Sequence, residues 1–259
     1  MPELPDVEIF RKEAEKSKNS EITGFEIDDK DFVELNQSKF NNNLKGKKFK
    51  DTLRRGKYLF MKVDDESGIV MHFGMTGFLV YKKENEDAPD YTKCSFVLKN
   101  KHKLHYISKR KLGHVKYVGK IGDFIEENDI GPDVLELSEA EFISKLSEKN
   151  SMVKSALMDQ STVSGIGNIY ADEILFQSEV HPKQKANKLD EKKWKTLHKN
   201  TVKVLKKAIE KNADVSKLPK SYLLPNREEG NDCPKCEGKI EKIKVSGRNG
   251  YYCPSCQKK

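Results

Sequence analysis

The pattern of apolar and polar positions changes character twice along the 259 residues. The chain opens on a short helical pattern. Val7, Phe10 and Ala14 recur at helical spacing, and Pro5 suits a first helical position. Asp6 and Glu8 fall where the helix dipole favours carboxylates, and Lys16 and Lys18 follow the end. From about Ile22 to Val118 the pattern becomes one of strands. Runs at 58–63, 69–73 and 94–98 are apolar or alternating, and polar turns such as 64–68 separate them, which predicts an antiparallel β domain. After Gly131-Pro132 the period is helical. Ser138 and Glu141 have capping-box spacing. Helices are expected over 171–177 and 190–212, the second with Trp194, Leu197, Leu205, Ala208 and Ile209 on one face. Pro182 and Pro219 interrupt the helical pattern, and no internal repeat appears. The fold class this predicts is α+β and multidomain.

Composition narrows the classes. Hydrophobic residues make up 36% and charged residues 35%, with a formal net charge of +8. No apolar run approaches the roughly 20 residues of a membrane span. Two carboxylates and two prolines among the first six residues leave no secretory leader to expect. A basic balance favours an anionic partner, nucleic acid above all. Lys and Glu are both abundant, however, so the same balance also fits a Lys-rich background.

Cysteine spacing is the most specific chemical signal. Cys233 and Cys236 are followed, after sixteen residues, by Cys253 and Cys256. Two Cys-x-x-Cys knuckles on facing turns supply the four soft ligands that a tetrahedral Zn²⁺ requires, so one structural Zn²⁺ is expected. All four positions are filled, which leaves no open site for catalysis. Disulfides are disfavoured without a secretion signal. The fifth cysteine, Cys94, falls in a strand and reads as a core residue.

Other signals are ambiguous when taken singly. Gly165-Ile166-Gly167 precedes Asn168, a good N-cap. Free backbone N–H groups at such a helix start can hold a phosphate, but the turn also serves as a tight interhelix connection. Gly247-Arg248-Asn249-Gly250 reads as a hairpin turn with Arg248 at its tip, for a ligand or merely solvated. Arg54-Arg55-Gly56-Lys57 suits phosphate contact, a mobile catalytic lysine or a solvated basic turn. Met75, flanked by Gly74 and Gly77, suits either a wedge between stacked bases or a core filler. If Met1 is removed, Pro2 presents a secondary amine. An α-amine has a pKa of about 8 against about 10.4 for lysine. Such an amine can attack a sugar carbon and form an iminium, with Glu3 beside it to shuttle protons. A processed start without any role would look the same.

Together these stretches resemble the Fpg/Nei family of bifunctional DNA glycosylases/AP lyases, in particular the formamidopyrimidine-DNA glycosylase branch. The matching stretches are 1–8, 54–59, 72–77, 157–160, 165–171 and 247–257, in family order over the whole chain. The resemblance implies an N-terminal antiparallel β-sandwich with flanking helices over 1–130, a helix-two-turn-helix domain over 131–225 and a zinc-finger hairpin over 226–259. Double-stranded DNA with damaged bases or abasic sites would lie in the cleft between the domains. The resemblance also implies roles. Pro2 would attack C1′, Glu3 would act as general acid, and Lys57 would touch phosphate and assist β-elimination. Asn168 and Arg248 would clamp the flanking phosphates, with Arg248 linked to δ-elimination. Met75 would fill the gap left by the extruded base, and Lys154 would face the DNA. A monomer acting inside the cell, with no membrane partner, is expected.

The chain departs from the family pattern in places. Arg110 stands where an arginine pairs with the orphan base, and Leu112 replaces the usual wedging phenylalanine. Tyr91 or Lys93 occupies the place of a DNA-contacting histidine. Only twenty residues separate Asn212 from Cys233, so the glycine-rich loop that closes over 8-oxoguanine is missing or shortened. Formamidopyrimidines, hydantoins and oxidised pyrimidines then become candidates beside 8-oxoguanine. Two alternatives follow: a Nei-like oxidised-pyrimidine glycosylase, and a non-catalytic zinc-ribbon DNA-binding protein.

Overall fold

The computed structural model of the protein describes residues 1–29, 32, 34–64 and 66–259; Asp65, inside the turn expected over 64–68, lies outside them. The chain divides into two compact units. One comprises Met1–Pro2 and Asp6–Asp129, the other Glu3–Pro5 and Ile130–Lys259.

The first unit takes most of α1 (Leu4–Glu15), then β1 (Ile22–Ile27), α2 (Gln37–Asn43), β2 (Asp51–Arg55), β3 (Tyr58–Lys62) and β4 (Gly68–His72). It continues with β5 (Gly77–Lys83), β6 (Thr92–Leu98), β7 (His102–Ser108), β8 (His114–Val118) and α3 (Ile121–Glu127). The strands form two four-stranded sheets, ordered β1-β6-β7-β5 and β2-β3-β4-β8. All their pairings are antiparallel. Phe25, Phe96 and Leu104 of one sheet share a buried cluster with Leu59, Met61 and Met71 of the other, which makes this a β-sandwich. Val7 and Ala14 of α1 join that cluster, and the ring of Phe10 lies 4.7 Å from that of Phe73. The run at 58–63 looks uniformly apolar because both faces of β3 are covered. Leu59 and Met61 enter the core, while Phe60 meets Phe124 of α3 at 6.1 Å between ring centroids. Cys94 is buried there, and burial pushes its thiol pKa up.

A strand-only reading of 22–118 needs one correction, the helix α2. Its only buried residue is Phe40, too little for a period to show. Capping supports it instead: Asn36 Oδ1 accepts the Lys39 N–H at 2.9 Å.

The second unit carries α4 (Glu139–Leu146), α5 (Val153–Leu157), α6 (Asn168–Gln177) and α7 (Glu191–Glu210), then β9 (Glu241–Val245) paired antiparallel with β10 (Arg248–Tyr252). The capping box at Ser138 and Glu141 is formed in both directions. Asp190 caps α7 by accepting the Lys193 N–H at 2.7 Å. Trp194, Leu197, Leu205 and Ala208 are buried in one cluster with Phe142 and Leu4, and Ile209 packs against it. A smaller cluster of Phe176, Leu223, Ile240 and two cysteines lies under the hairpin. The segment before Cys233 is tied to α6. Glu173 accepts the N–H groups of Leu223 and Leu224 at 3.2 and 2.8 Å, and Arg227 pairs with Asp172. Among the described residues, no helix is long and apolar enough to cross a membrane.

Candidate active site and nucleic-acid interface

In the second unit the start of α6 organises the chemistry. Helix N-termini leave backbone donors without intrahelical partners. Here a side chain from the far end of the sequence takes them. Glu3 Oε2 accepts the N–H groups of Gly167 and Tyr170 at 2.8 and 3.2 Å, and Oε1 accepts that of Ile169 at 2.8 Å. The Leu4 N–H donates to the Gly165 carbonyl at 3.1 Å. This arrangement explains both glycines. Gly165 has φ +116, a conformation L side chains rarely adopt, and a Cβ on Gly167 would overlap the Glu3 carboxylate.

Two expectations are corrected here. The donors at this helix start hold Glu3 and are not left for a phosphate. The N-cap is Gly167, and Asn168 is the first helical residue. Its side chain is thereby released for another partner, and its Nδ2 donates to the Asn249 carbonyl at 2.9 Å.

That bond brings Asn168 to the hairpin. Arg248 pairs with Val245 across a two-residue turn, Ser246-Gly247, and both turn residues have positive φ (46° and 80°). This is a type I′ geometry. The turn expected over 247–250 is corrected accordingly. Arg248 begins β10 and is exposed, while Gly250 is buried inside the strand.

Lys154 requires a further correction. Its side chain is 0% exposed and pairs with Asp172 Oδ1 at 2.6 Å, so it does not face DNA from an open surface. Burial pushes its ammonium pKa down and the Asp172 carboxyl pKa up.

The four cysteine sulfurs lie within 4.8 Å of one another. Cys233 Sγ is 3.8 Å from Cys256 Sγ, and Cys236 Sγ is 3.6 Å from Cys253 Sγ. A tetrahedron with Zn–S bonds of about 2.3 Å has edges of about 3.8 Å, so this donor set fits one structural Zn²⁺. The Lys235 and Gly238 N–H groups donate to the Cys233 and Cys236 sulfurs at 3.5 and 3.4 Å, which supports thiolate ligands.

In the first unit, Lys57 sits on the two-residue turn joining β2 and β3, where Arg55 pairs with Tyr58 and Gly56 has φ +57. Arg54 braces this turn. Its Nη1 donates to the Gly56 carbonyl at 3.3 Å and its Nε to Glu8 Oε2 on α1 at 3.0 Å. Against burial, Arg11 and Arg54 hold the Glu8 pKa below the usual carboxylate range. Beside the turn, His72 stacks on His114 and lies 4.9 Å from the tilted Tyr58 ring, and burial pushes the His114 pKa down to about 4.

Three further candidates of this unit are neighbours. The Arg110 N–H donates to Thr76 Oγ1 at 3.0 Å. A Cβ on Gly74 would overlap the Leu112 backbone. Met75 (39% exposed), Arg110 and Leu112 (53% exposed) thus share one loop cluster. Tyr91 is 54% exposed, and its carbonyl accepts the Ser108 N–H at 3.1 Å. Lys93 is buried and paired with Asp29 at 3.4 Å, which leaves Tyr91 as the surface candidate.

Sequence reasoning missed Asp172 and Arg227. Both look like ordinary surface charges in a charge-rich chain, and only the burial of Asp172 and its pairing with Arg227 mark them.

Known proteins share these features. Residues 1–115 match the formamidopyrimidine-DNA glycosylase N-terminal domain, 130–220 its H2TH domain, and 230–259 the zinc finger found in FPG and IleRS. The formamidopyrimidine-DNA glycosylase of Mycoplasmopsis pulmonis is 33% identical, covering 100% of this chain and 98% of that protein. That of Lactobacillus acidophilus is 35% identical over 99% of each. The Lactococcus lactis Fpg in complex with abasic-site DNA superposes with a TM-score of 0.85 at 28% identity, covering 100% of both chains. With its two matched domains, its tetrahedral cysteines and relatives aligned from end to end, the chain belongs to the formamidopyrimidine-DNA glycosylase family.

Proposed function

We propose that this protein removes oxidised bases from double-stranded DNA and then cleaves the abasic site through its own N-terminal proline. The observation that carries this reading is the seat of Glu3. Three backbone donors fix its carboxylate, it is bonded directly to Pro2, and Asn168 at the same helix start holds Asn249, the strand residue next to Arg248.

The reaction proceeds in balanced steps. With Met1 removed, the Pro2 nitrogen attacks C1′ and an N–C1′ bond forms. The glycosidic bond breaks, and the base leaves with a proton supplied by Glu3. The C1′–O4′ bond then breaks, O4′ taking up the proton that the Pro2 nitrogen sheds, and the resulting ring-opened iminium acidifies C2′–H. Loss of that proton, assisted by Lys57, expels the 3′ phosphate, and a second elimination, linked to Arg248, expels the 5′ phosphate. Arg248 and Asn168 hold the flanking phosphates, Met75 and Leu112 fill the space left by the extruded base, and Arg110 faces the orphan base. Tyr91 adds an exposed contact. The protein acts inside the cell, on DNA.

Relatives of known structure are complexes with DNA containing Fapy-dG, carbocyclic 8-oxo-G or an oxidised pyrimidine. The short segment before Cys233 favours formamidopyrimidines and oxidised pyrimidines over 8-oxoguanine here. Borohydride trapping on duplexes carrying each lesion, and on abasic duplex, tests the reading. A covalent adduct and strand cleavage are expected. A mature protein giving neither is a binder and not an enzyme.

A milder perturbation reports on the seat of Glu3. In Gly167→Ala the new Cβ must displace the carboxylate. Single-turnover base excision should fall about tenfold or more, since small misplacements of a reacting group are costly, while DNA affinity stays near that of the parent.

A further inference from the structure

Asp172 is a buried carboxylate that the chemistry above leaves unused. Withdrawing such a charge from water is costly unless its partners are well placed. Those partners come from three separate stretches. Oδ1 pairs with Lys154 Nζ at 2.6 Å. Oδ2 accepts Arg227 Nε and Nη2 at 2.9 and 2.7 Å, and the Tyr251 backbone N–H at 3.1 Å.

The last bond is the informative one, because through it a side chain of α6 holds the main chain of β10. Asn168, four residues earlier and so on the same helix face, holds the Asn249 carbonyl. Two successive side chains of one helix face thus grip the residues on either side of Gly250. A Cβ there would overlap Lys154 Nζ and come within 2.8 Å of Asp172 Oδ1, so only glycine admits the strand this closely. The Arg227 guanidinium also lies 4.7 Å from the centre of the Tyr251 ring. Arg248 shares the Gly250 face of β10, two residues before it.

We propose that Asp172 is a positioning residue that sets the zinc hairpin in register on α6, so that Arg248 and Asn168 engage the flanking phosphates as one clamp. This rests on the phosphate role given to Arg248 and Asn168 above. An ion pair that merely stabilised the fold would have no reason to hold the strand amide three residues beyond Arg248.

The test measures DNA affinity against salt, using the zinc-loaded full chain and a duplex with a tetrahydrofuran abasic analogue. Arg248→Ala sets the scale. Losing one phosphate contact should weaken binding about tenfold and reduce the salt slope by about 0.9. Asp172→Asn should produce a loss of the same size at full zinc content, yet add less than about twofold in an Arg248→Ala background, because residues acting as a unit are non-additive. Gly250→Ala leaves every charge in place and should behave alike; it carries the test if Asp172→Asn fails to fold. A loss that persists in full in the Arg248→Ala background, or an unchanged salt slope in the Asp172 and Gly250 variants, overturns the inference. An Arg248→Ala protein that binds like the parent overturns the phosphate reading itself, and this inference with it.

Discussion

Glu3→Gln should slow excision of an intact damaged base by about 10²–10⁴-fold, the usual contribution of a positioned proton donor. The same protein should still form a borohydride-trapped adduct on a pre-formed abasic site, where no base has to leave. The geometry gives this substitution a second signature. Glu3 accepts two N–H groups on one oxygen and one on the other. Glutamine has a single acceptor oxygen, so its amide nitrogen must face at least one N–H donor. The cost is that of a lost helix cap, about 1–2 kcal/mol, read as a fall of a few degrees in Tm. Single-turnover kinetics on the two substrates, with calorimetry, check both. Equal losses on the two substrates would remove Glu3 from the general-acid role.

Removal of zinc should be nearly as damaging, by a different route. Structural Zn²⁺ contributes apparent binding energies of about 10–16 kcal/mol to small zinc folds. The cluster beneath the hairpin is small, and two of its buried members, Cys233 and Cys253, are themselves ligands. Cys253→Ala, or chelation, should therefore unfold β9 and β10. Zinc content falls from one per chain to none, hairpin amides lose hydrogen-exchange protection, and DNA affinity drops by at least about tenfold as Arg248 leaves the clamp. The sandwich does not depend on the metal and should keep its protection. A zinc-free protein with unaltered DNA affinity would rule out a role for the hairpin in binding.

What was legible in the sequence was local. The capping box at Ser138 and Glu141 and each cysteine knuckle span four residues, and the face of α7 repeats over a single element. The strands of an antiparallel β domain could be read because the pattern lies within each of them; that they form a sandwich was implied only by the family resemblance. The seat of Glu3 could not be read, since its partners are remote and its carboxylate caps a helix from another part of the chain. Asn168 was misread for the same reason: an asparagine before a helix looks like its cap until another side chain takes that place. The hairpin turn was misplaced because Gly247-Arg248-Asn249-Gly250 has more turn residues than Ser246-Gly247, the pair with positive φ. The glycine of the longer motif, Gly250, serves close packing instead. Family resemblance pointed to Lys154 but not to its burial, which depends on Asp172 and a strand from the other end of the unit.

The seat of Glu3 has a consequence for how each molecule is made. Glu3 is separated from Gly167, Ile169 and Tyr170 by 164, 166 and 167 positions. At ribosomal rates of about 5–20 residues per second, about 8–30 s pass between synthesis of the amino end and synthesis of the helix start that receives it. Throughout that interval the end is undocked, so under the proposed mechanism removal of Met1 would act on a free terminus, and the Pro2 amine would exist before its surroundings do. A chain that stalled before residue 165 would carry Pro2 and the sandwich, but nothing to hold the Glu3 carboxylate beside it.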